Sequence, residues 1–195
     1  MSKVDNDHVP DDSGTNPVVQ ADIGMAEWAA QYRGHPIVRA AGPLSKLSDQ
    51  PPLLAATAAV LAWGLLASNY RLARQGGHMF ASVLLATALK NGLKKIVSRS
   101  RPNLLFDKGV YGVVPLGPDE GPWHSFPSGH TAGAVALARA VAREWPTASA
   151  AAYTGAAAVA LLQIPRCAHY PADVLAGAFV GAVAQSIAER VFPPQ

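Results

Sequence analysis

The stretch Ser125-Phe126-Pro127-Ser128-Gly129-His130-Thr131 stands in front of an alanine-rich segment and predicts the start of a helix. Pro127 is suited to a first helical turn and Ser128 to a helix cap. The free backbone N–H groups at such a helix start form a binding site for an anion. His130 adds a side chain that exchanges a proton near neutral pH. The stretch therefore predicts an anion site with a proton-transfer group at its edge.

The composition around this stretch favours a small membrane protein. Hydrophobic residues make up 50% of the 195 residues and charged residues only 15%, which is more apolar than an ordinary soluble domain. Residues 1–50 carry seven acidic and four basic residues, so the rest of the chain holds a net charge of +6. Nucleic acid is a poor partner, because the basic residues form no solvated run with interleaved aromatics. A basic, apolar body instead indicates anionic lipid headgroups or phosphate.

Five apolar segments predict an all-α fold, an integral-membrane helical bundle with about five transmembrane helices. The first and fourth segments contain no charged residue and are about as long as a short membrane span. The predicted helices cover residues 53–70, 72–98, 128–145, 147–164 and 171–191. Small residues recur every four positions in the last three, which lets membrane helices approach closely. A soluble alanine-rich bundle is the alternative, and the uncharged helices disfavour it.

The N-terminal part of the chain has a different character. Residues 1–50 are predicted to be a polar tail with a short amphipathic helix, and residues 51–195 a membrane-embedded domain. Residues 1–20 are polar and predicted to be disordered. The helix, at about residues 22–34, would carry Met25 and Trp28 on one side, so we expect it to lie at the membrane interface. A tail without structure is the alternative.

The charge distribution predicts which way the bundle faces. Five spans put one group of arginines on one face, which the positive-inside rule makes cytoplasmic: Arg71, Arg74, Arg139, Arg143 and Arg190. The loop of residues 99–126 and the loop of residues 165–170 then share the extracytoplasmic face of the cell membrane. Four basic residues lie on that face against the rule, which indicates a specific role for these charges: Lys94, Lys95, Arg99 and Arg101.

Two further clusters on that face have side chains suited to phosphate chemistry. Lys94 and Arg101 are seven residues apart, nearly two helical turns, so both could project on one side and bind phosphate oxygens. The alternative is that they only extend to the membrane surface. The other cluster is Arg166, His169 and Asp173. A carboxylate bonded to one ring nitrogen would fix the tautomer and leave the other nitrogen free to attack, unless the pair is merely structural.

Together with the opening stretch, these clusters support phosphoryl transfer without a metal. They contain a nucleophile, a general acid and cations for the equatorial phosphate oxygens. His169 is the predicted nucleophile because it has a carboxylate partner, whereas the sequence identifies none for His130.

Three motifs carry a resemblance to a known family. In order, Lys94-x6-Arg101-Pro102, Pro127-Ser128-Gly129-His130 and His169-x3-Asp173 resemble the type-2 phosphatidic acid phosphatase superfamily, which includes bacterial acid phosphatases and vanadium haloperoxidases. The resemblance spans about residues 50–192. It departs from the family pattern at one place. The arginine usually found six residues before the third-motif histidine is Gln163 here, and Arg166 stands three residues before it.

The resemblance implies a function and a set of roles. His169 attacks phosphorus and forms a phosphohistidine, Asp173 orients His169, and His130 protonates the leaving alkoxide and then helps to activate water. No cofactor or metal is implied. The phosphoryl oxygens are held by Lys94, Arg101, Ser128, Gly129 and Arg166. The implied substrate is an anionic phospholipid, an isoprenoid phosphate or a phosphorylated sugar-lipid, bound at the extracytoplasmic surface of the inner membrane.

Two other functions stay open at this point. Vanadate mimics phosphate, so a vanadate-dependent haloperoxidase is possible, although those members are larger and soluble. A non-catalytic lipid-binding relative is favoured only by Gln163. The sequence does not determine the oligomeric state.

Overall fold

The computed structural model describes residues 16–118 and 120–193, which fold mostly into helices. The helices are α1 Pro17–Ala30, α2 Pro36–Ser45, α3 Gln50–Leu66, α4 Tyr70–Ile96, α5 Pro102–Lys108, α6 Gly129–Glu144, α7 Ser149–Leu162 and α8 Pro171–Val191. Short 3-10 turns lie at Lys46–Ser48, Gly121–Trp123 and Pro146–Ala148. Two short strands, β1 Val97–Arg99 and β2 Val113–Pro115, pair antiparallel.

Helices α4, α6 and α8 form the centre of the bundle. Each packs on the other two, while α3 packs along α4 and α7 packs along α6. Ala86, Ala136 and Ala184, one from each central helix, are buried against one another. Small side chains at these positions let the three helix axes approach closely.

Glycines on α8 bring its start beside the start of α6. A Cβ atom added at Gly177 would lie 2.5 Å from the carbonyl oxygen of Ser128, and one added at Gly181 would collide with the carbonyl of Ala132. The predicted packing of small residues is therefore confirmed for this pair of helices. The contact also matters for the site, because it holds two motif-bearing helix starts side by side.

The predicted helices match the structure well in the second half of the chain. The prediction for α8 agrees at both ends, and Ser128 caps α6, its Oγ accepting a hydrogen bond from the N–H of Thr131. Pro127 was expected inside the first turn but precedes the cap, since α6 begins at Gly129. Residues 146–148 form a 3-10 turn rather than the first turn of α7, because the proline interrupts the helical hydrogen bonds.

The expectation of an all-α fold with an open loop at residues 99–126 was incomplete. Helix α4 ends at Ile96 and the chain continues as β1, which pairs with β2. Helix α5 lies between the two strands and ends at Gly109, whose left-handed backbone (φ 69°) closes the helix.

The N-terminal prediction was right about one helix and wrong about its extent. Helix α1 begins at Pro17, so residues 17–20 are helical and not disordered; residues 1–15 lie outside the described part. The Asn16 side chain accepts a hydrogen bond from the N–H of Val18 at 2.9 Å, and Asn-Pro is a helix-start signal that the sequence analysis missed. The prediction also missed helix α2.

Membrane spanning is supported by composition in one helix. Among the described residues, α8 alone is both long and apolar enough to cross a bilayer, while α3 and the Pro146–Leu162 segment are apolar but shorter. Large apolar side chains point outward from α3, α7 and α8, including Trp63, Leu161 and Phe179. The number of five spans stays a prediction.

We expect Gly177→Ala to lower the thermal unfolding midpoint in detergent, because the new methyl group would press on the Ser128 carbonyl. Overpacking of this kind costs roughly 1–3 kcal/mol. The matched control is Gly155→Ala on α7, where no described atom outside the local helix backbone and the adjacent residues lies within 4 Å of the added Cβ. That change should leave the midpoint unchanged or raise it, because alanine favours helix by about 0.5–1 kcal/mol. Equal shifts in the two variants would contradict the tight α6–α8 contact.

Candidate active site

A polar cavity of about 350 Å³ lies where the starts of α3, α6 and α8 meet the end of α4. Several predicted site residues line it, namely Lys94, Arg101, Gly129, His130 and His169. Residues that the sequence analysis did not single out line it as well, among them Asp49, Gln50 and Lys90. Motifs that are separated by up to 75 positions along the chain therefore share one cavity.

His169 is buried and held by the backbone of the opening stretch. Its Nδ1 lies 2.7 Å from the carbonyl oxygen of Ser125. A carbonyl only accepts hydrogen bonds, so Nδ1 carries the proton and Nε2 keeps its lone pair. This is the ring state that a nitrogen nucleophile needs.

Asp173 does not make the direct bond to His169 that the sequence suggested. Its Oδ2 is 4.0 Å from His169 Nδ1, beyond hydrogen-bond distance. Oδ2 instead accepts hydrogen bonds from Ser125 Oγ at 2.5 Å and from the N–H of Tyr170 at 2.9 Å. Asp173 therefore fixes Ser125, and the Ser125 carbonyl in turn fixes His169.

A buried arginine outside the predicted set ties Asp173 to the N-terminal helix. Arg99 Nη1 donates to Asp173 Oδ1 at 2.8 Å, and Nη2 donates to Asp22 Oδ2 at 2.7 Å. The guanidinium also lies 4.0 Å from the ring centroid of Tyr170. Asp22 Oδ1 accepts a hydrogen bond from the N–H of Ala172, at the start of α8. The two carboxylates raise the pKa of Arg99 against the lowering effect of burial.

His130 has a carboxylate partner after all. Its Nε2 lies 2.8 Å from Asp49 Oδ1, at the start of α3. The expectation that only His169 has such a partner was wrong, because Asp49 is 81 positions away in sequence and no local pattern links the two. The two histidine rings are 6.4 Å apart between centroids. A carboxylate oxygen at this distance orients the His130 ring, and the ring can then exchange a proton with a group in the cavity.

Three basic side chains line the cavity: Lys90, Lys94 and Arg101. The first motif contains only Lys94 and Arg101. Lys94 Nζ donates to the carbonyl oxygen of His124 at 2.5 Å. Arg101 Nε is buried and has no hydrogen-bond partner among the described residues. Lys90 lies one helical turn before Lys94 on the same face, a spacing that was visible in the sequence. Unpaired buried donors of this kind are ready to bind an anion.

Lys94 and Arg101 meet for a different reason from the one expected. They were predicted to project from one helix, but α4 ends at Ile96 and Arg101 immediately precedes α5. Strand β1 carries the chain between them, and both side chains still reach the cavity.

The electrostatics of the cavity favour a neutral His169. Burial lowers its pKa well below the ordinary value, and the nearby charges of Arg101 and Lys94 lower it further. Burial also lowers the pKa of Arg101, which remains charged because guanidinium has so high an ordinary pKa.

Three predicted phosphate ligands have different surroundings. Gly129 lines the cavity, and a Cβ atom there would lie 3.0 Å from the Lys90 side chain. Ser128 is buried, with its Oγ engaged in capping α6 and its N–H donating to the carbonyl of Asp173. Arg166 does not line the cavity; it donates to Ser45 Oγ and borders a separate basic pocket.

Gln163, the departure from the family pattern, also lies outside the cavity lining. Its side chain is buried and donates to the Val159 carbonyl of its own helix at 2.9 Å. Of the third cluster, His169 lines this cavity, and the charge of Arg166 acts on Arg101, so the predicted phosphate contact of Arg166 stays a prediction.

Comparisons with known proteins identify the family and several relatives. The family model described as the PAP2 superfamily matches residues 75–193. A Lipid A 1-phosphatase of Rhizobium johnstonii is 33% identical over 107 residues, which is 55% of this chain and 43% of that protein. A Lipid A 1-phosphatase of Rhizobium etli is 32% identical over 106 residues, 54% of this chain and 45% of that protein. The matched region thus spans less than half the length of these curated relatives.

Two solved structures share the fold. The transmembrane PAP2 type phosphatidylglycerolphosphate phosphatase from Bacillus subtilis superimposes with a TM-score of 0.63 at 20% identity, covering 92% of this chain and 88% of that one. Aquifex aeolicus LpxE superimposes with a TM-score of 0.51 at 23% identity, covering 91% and 89%. These likenesses extend over about nine tenths of the chain.

We expect Asp22→Asn to destabilise the fold, because it leaves the buried Arg99 charge with one carboxylate instead of two. Breaking a buried pair costs about 3–5 kcal/mol, whereas an exposed pair contributes about 0–1 kcal/mol. The matched control is Asp107→Asn, which breaks the exposed Arg33–Asp107 pair. Thermal unfolding in detergent should show a large drop for the first variant and little for the second. A drop of equal size in both would show that burial of the Arg99 pair adds nothing.

Proposed function

We propose that this chain, which belongs to the PAP2 superfamily, hydrolyses a lipid phosphate through a phosphohistidine formed on His169. One observation carries the proposal above the others. The Ser125 carbonyl, 2.7 Å from His169 Nδ1, holds the ring in the tautomer whose Nε2 is a nucleophile. That ring lines a cavity with Lys90, Lys94 and Arg101, which suits a phosphoryl group.

In the first step, His169 Nε2 attacks phosphorus and the bond from phosphorus to the lipid oxygen breaks. His130 donates its proton to the leaving alkoxide, so the lipid departs as a neutral alcohol. The phosphoryl group is then bonded to Nε2, while Nδ1 keeps its proton and its bond to Ser125. Asp49, 2.8 Å from His130 Nε2, orients the ring for this transfer.

In the second step, neutral His130 takes a proton from water, and the resulting hydroxide attacks phosphorus. The phosphorus–nitrogen bond breaks, inorganic phosphate leaves, and both histidines return to their starting states. His130 therefore acts as the acid in the first step and as the base in the second.

The cations hold the phosphoryl oxygens during both steps. Arg101 and Lys94 follow the family motif, and the backbone N–H groups beside Gly129 add a helix start. We assign the third cation to Lys90, because neither Gln163 nor Arg166 lines the cavity. Asp173 and Ser128 act as positioning residues, the first through Ser125 and the second as the cap of α6. The three cations match phosphate oxygens directly, so the proposal includes no metal and no cofactor.

The substrate is proposed as a lipid phosphate monoester or diphosphate at a membrane surface. The matched relatives are named Lipid A 1-phosphatases, which supports a phosphorylated sugar-lipid ahead of an isoprenoid phosphate or another anionic phospholipid. The active site is proposed to face the extracytoplasmic side of the inner membrane. In support, the cavity lies at the start of α8. Arg143, one of the arginines expected on the cytoplasmic face, pairs with Glu189 near the other end of α8, about 30 Å away along the helix.

Replacement of each histidine separates their roles. His169→Asn should abolish phosphate release from every substrate, because it removes the nucleophile. His130→Asn should slow release from a lipid phosphate by about 10²–10⁴-fold. With p-nitrophenyl phosphate, whose leaving group needs no proton, the His130→Asn enzyme should still complete the first step and accumulate phosphoenzyme.

The measurement is phosphate release in the presence of a chelator, together with the acid-labile, alkali-stable label retained on the protein from a 32P-labelled substrate. His35→Ala, at an exposed histidine outside the cavity, serves as the control and should behave like the unchanged protein. Label on the His169→Asn protein would refute the nucleophile, and activity lost to the chelator would refute the metal-free reaction.

The pH profile tests the effect of the cations on His169. Burial and the nearby cations keep the His169 pKa well below 6.5, so the neutral nucleophile persists in mildly acidic solution. Arg101→Gln removes one of those cations, which raises the His169 pKa and moves the acidic limb of kcat/KM to higher pH. The substrate's own ionisation is the same for both proteins, so the comparison isolates the enzyme. A limb that stays in place while activity falls would show that Arg101 binds substrate without lowering the His169 pKa.

A further inference from the structure

A second basic pocket lies beside the catalytic cavity and has no part in the proposed hydrolysis. Its volume is about 380 Å³, and four cations line it: Arg33, Arg39, Lys46 and Arg166. The other lining residues are uncharged. Arg33 is paired with Asp107 at 3.2 Å, so the positive charge of the pocket comes mainly from Arg39, Lys46 and Arg166. The 3-10 turn at Lys46–Ser48 separates it from the catalytic cavity, which Ser48 lines from the other side.

An apolar groove adjoins this pocket. The groove has a volume of about 540 Å³ and runs between helices α1 and α2 on one side and the end of α7 on the other. Its lining includes Met25, Trp28, Tyr32, Ile37, Leu161 and Ile164. Val38 lines both the groove and the basic pocket, and Pro165 of the groove directly precedes Arg166 of the pocket.

The groove is open and apolar, which is unusual for a surface in contact with water. Trp28 is 66% exposed and Ile37 is 70% exposed. Pro171, the first residue of α8, also lines the groove, so the groove lies at the same end of the bundle as the catalytic cavity.

We propose that this groove and pocket together bind an anionic bilayer phospholipid, with its phosphate among the four cations and an acyl chain in the groove. Charge complementarity selects the headgroup, because arginine and lysine donors match phosphate oxygens. Among the described residues no carboxylate lines the pocket, and Asp107 pairs with Arg33 from outside the lining. Continuity with an apolar groove selects a lipid over free phosphate, since only an amphiphile fills both. The lipid is a ligand and is not turned over there, because the histidines lie in the other cavity.

This site gives Arg166 a role that the catalytic cavity does not. Its guanidinium is anchored by Ser45 Oγ, at the end of α2, and by the side-chain oxygen of Gln163 at 3.5 Å. A lipid bound here would cover the outer surface of α2 and the Lys46–Ser48 turn, which precedes the Asp49 partner of His130.

Quenching of tryptophan fluorescence by brominated acyl chains tests the site directly. The full chain is placed in bilayers of neutral phosphatidylcholine that contain one tenth brominated phosphatidylglycerol or, in a parallel sample, one tenth brominated phosphatidylcholine. The Trp28 contribution is the part of the quenching that Trp28→Phe removes. We expect the brominated anionic lipid to quench this part at least twofold more than the neutral one.

In the double variant Arg39→Gln/Lys46→Gln, the two brominated lipids should quench Trp28 fluorescence equally. Both side chains are exposed, so the change should leave the fold intact, which circular dichroism and the thermal midpoint verify. Lys108→Gln removes an exposed cation outside the pocket and should preserve the preference. Equal quenching by both lipids in the unchanged protein, or a preference that survives the double variant, would overturn the proposal.

Other occupants give different results. If the cations instead bind the substrate headgroup, the double variant should have a higher KM for a lipid phosphate. The unchanged protein would then show equal Trp28 quenching by the anionic and the neutral lipid. If the acidic N-terminal segment fills the pocket, a preference would appear only after Asp5, Asp7, Asp11 and Asp12 are changed to Asn. Either result overturns the lipid site. Because quenching needs no turnover, it stands or falls independently of the proposed hydrolysis, which the His169→Asn assay tests.

Discussion

The buried Arg99 guanidinium is the interaction on which the arrangement of the site depends. It contacts Asp22 of α1 and Asp173 of α8 at 2.7 and 2.8 Å, and its own strand, β1, follows α4. A charge this deeply buried is stable only with such partners, so α1, β1 and the start of α8 are held in one relative position. These contacts hold the N-terminal helix α1 against the proposed catalytic site, although the residues that make the contacts are far apart in the sequence.

The contacts of Arg99 also fix the position of the proposed nucleophile, His169. Asp173 accepts hydrogen bonds from Arg99, Ser125 and Tyr170. The Ser125 carbonyl in turn accepts a hydrogen bond from Nδ1–H of His169. A backbone carbonyl has no protonation state of its own, so it sets the histidine tautomer at any working pH. Asp173 contributes by keeping that carbonyl in place, which explains how a carboxylate 4.0 Å from the ring still belongs to the site.

Close packing of small residues complements the charged contacts. Gly177 and Gly181 bring α8 against α6, and the same contact places Ser128 and His130 beside His169. Cationic side chains gather at this end of the bundle in two pockets, one with the histidines and one bordered by α2 and Arg166. A membrane surface rich in anionic headgroups suits both, since the same charge attracts substrate and lipid.

The sequence by itself determined the helical character, the extent of α8, and the motif residues that share the catalytic cavity. These follow from local patterns: apolar segments, caps, and short motifs whose spacing along the chain is regular. Tertiary structure alone decided the partners of the two histidines. Asp49 pairs with His130, and Asp22 reaches the site through Arg99, because folding joins positions 81 and 77 residues apart. It also decided that Arg166 contacts Ser45, since the direction of a loop side chain depends on the α2 residues packed against it and not on its distance from His169 in the chain.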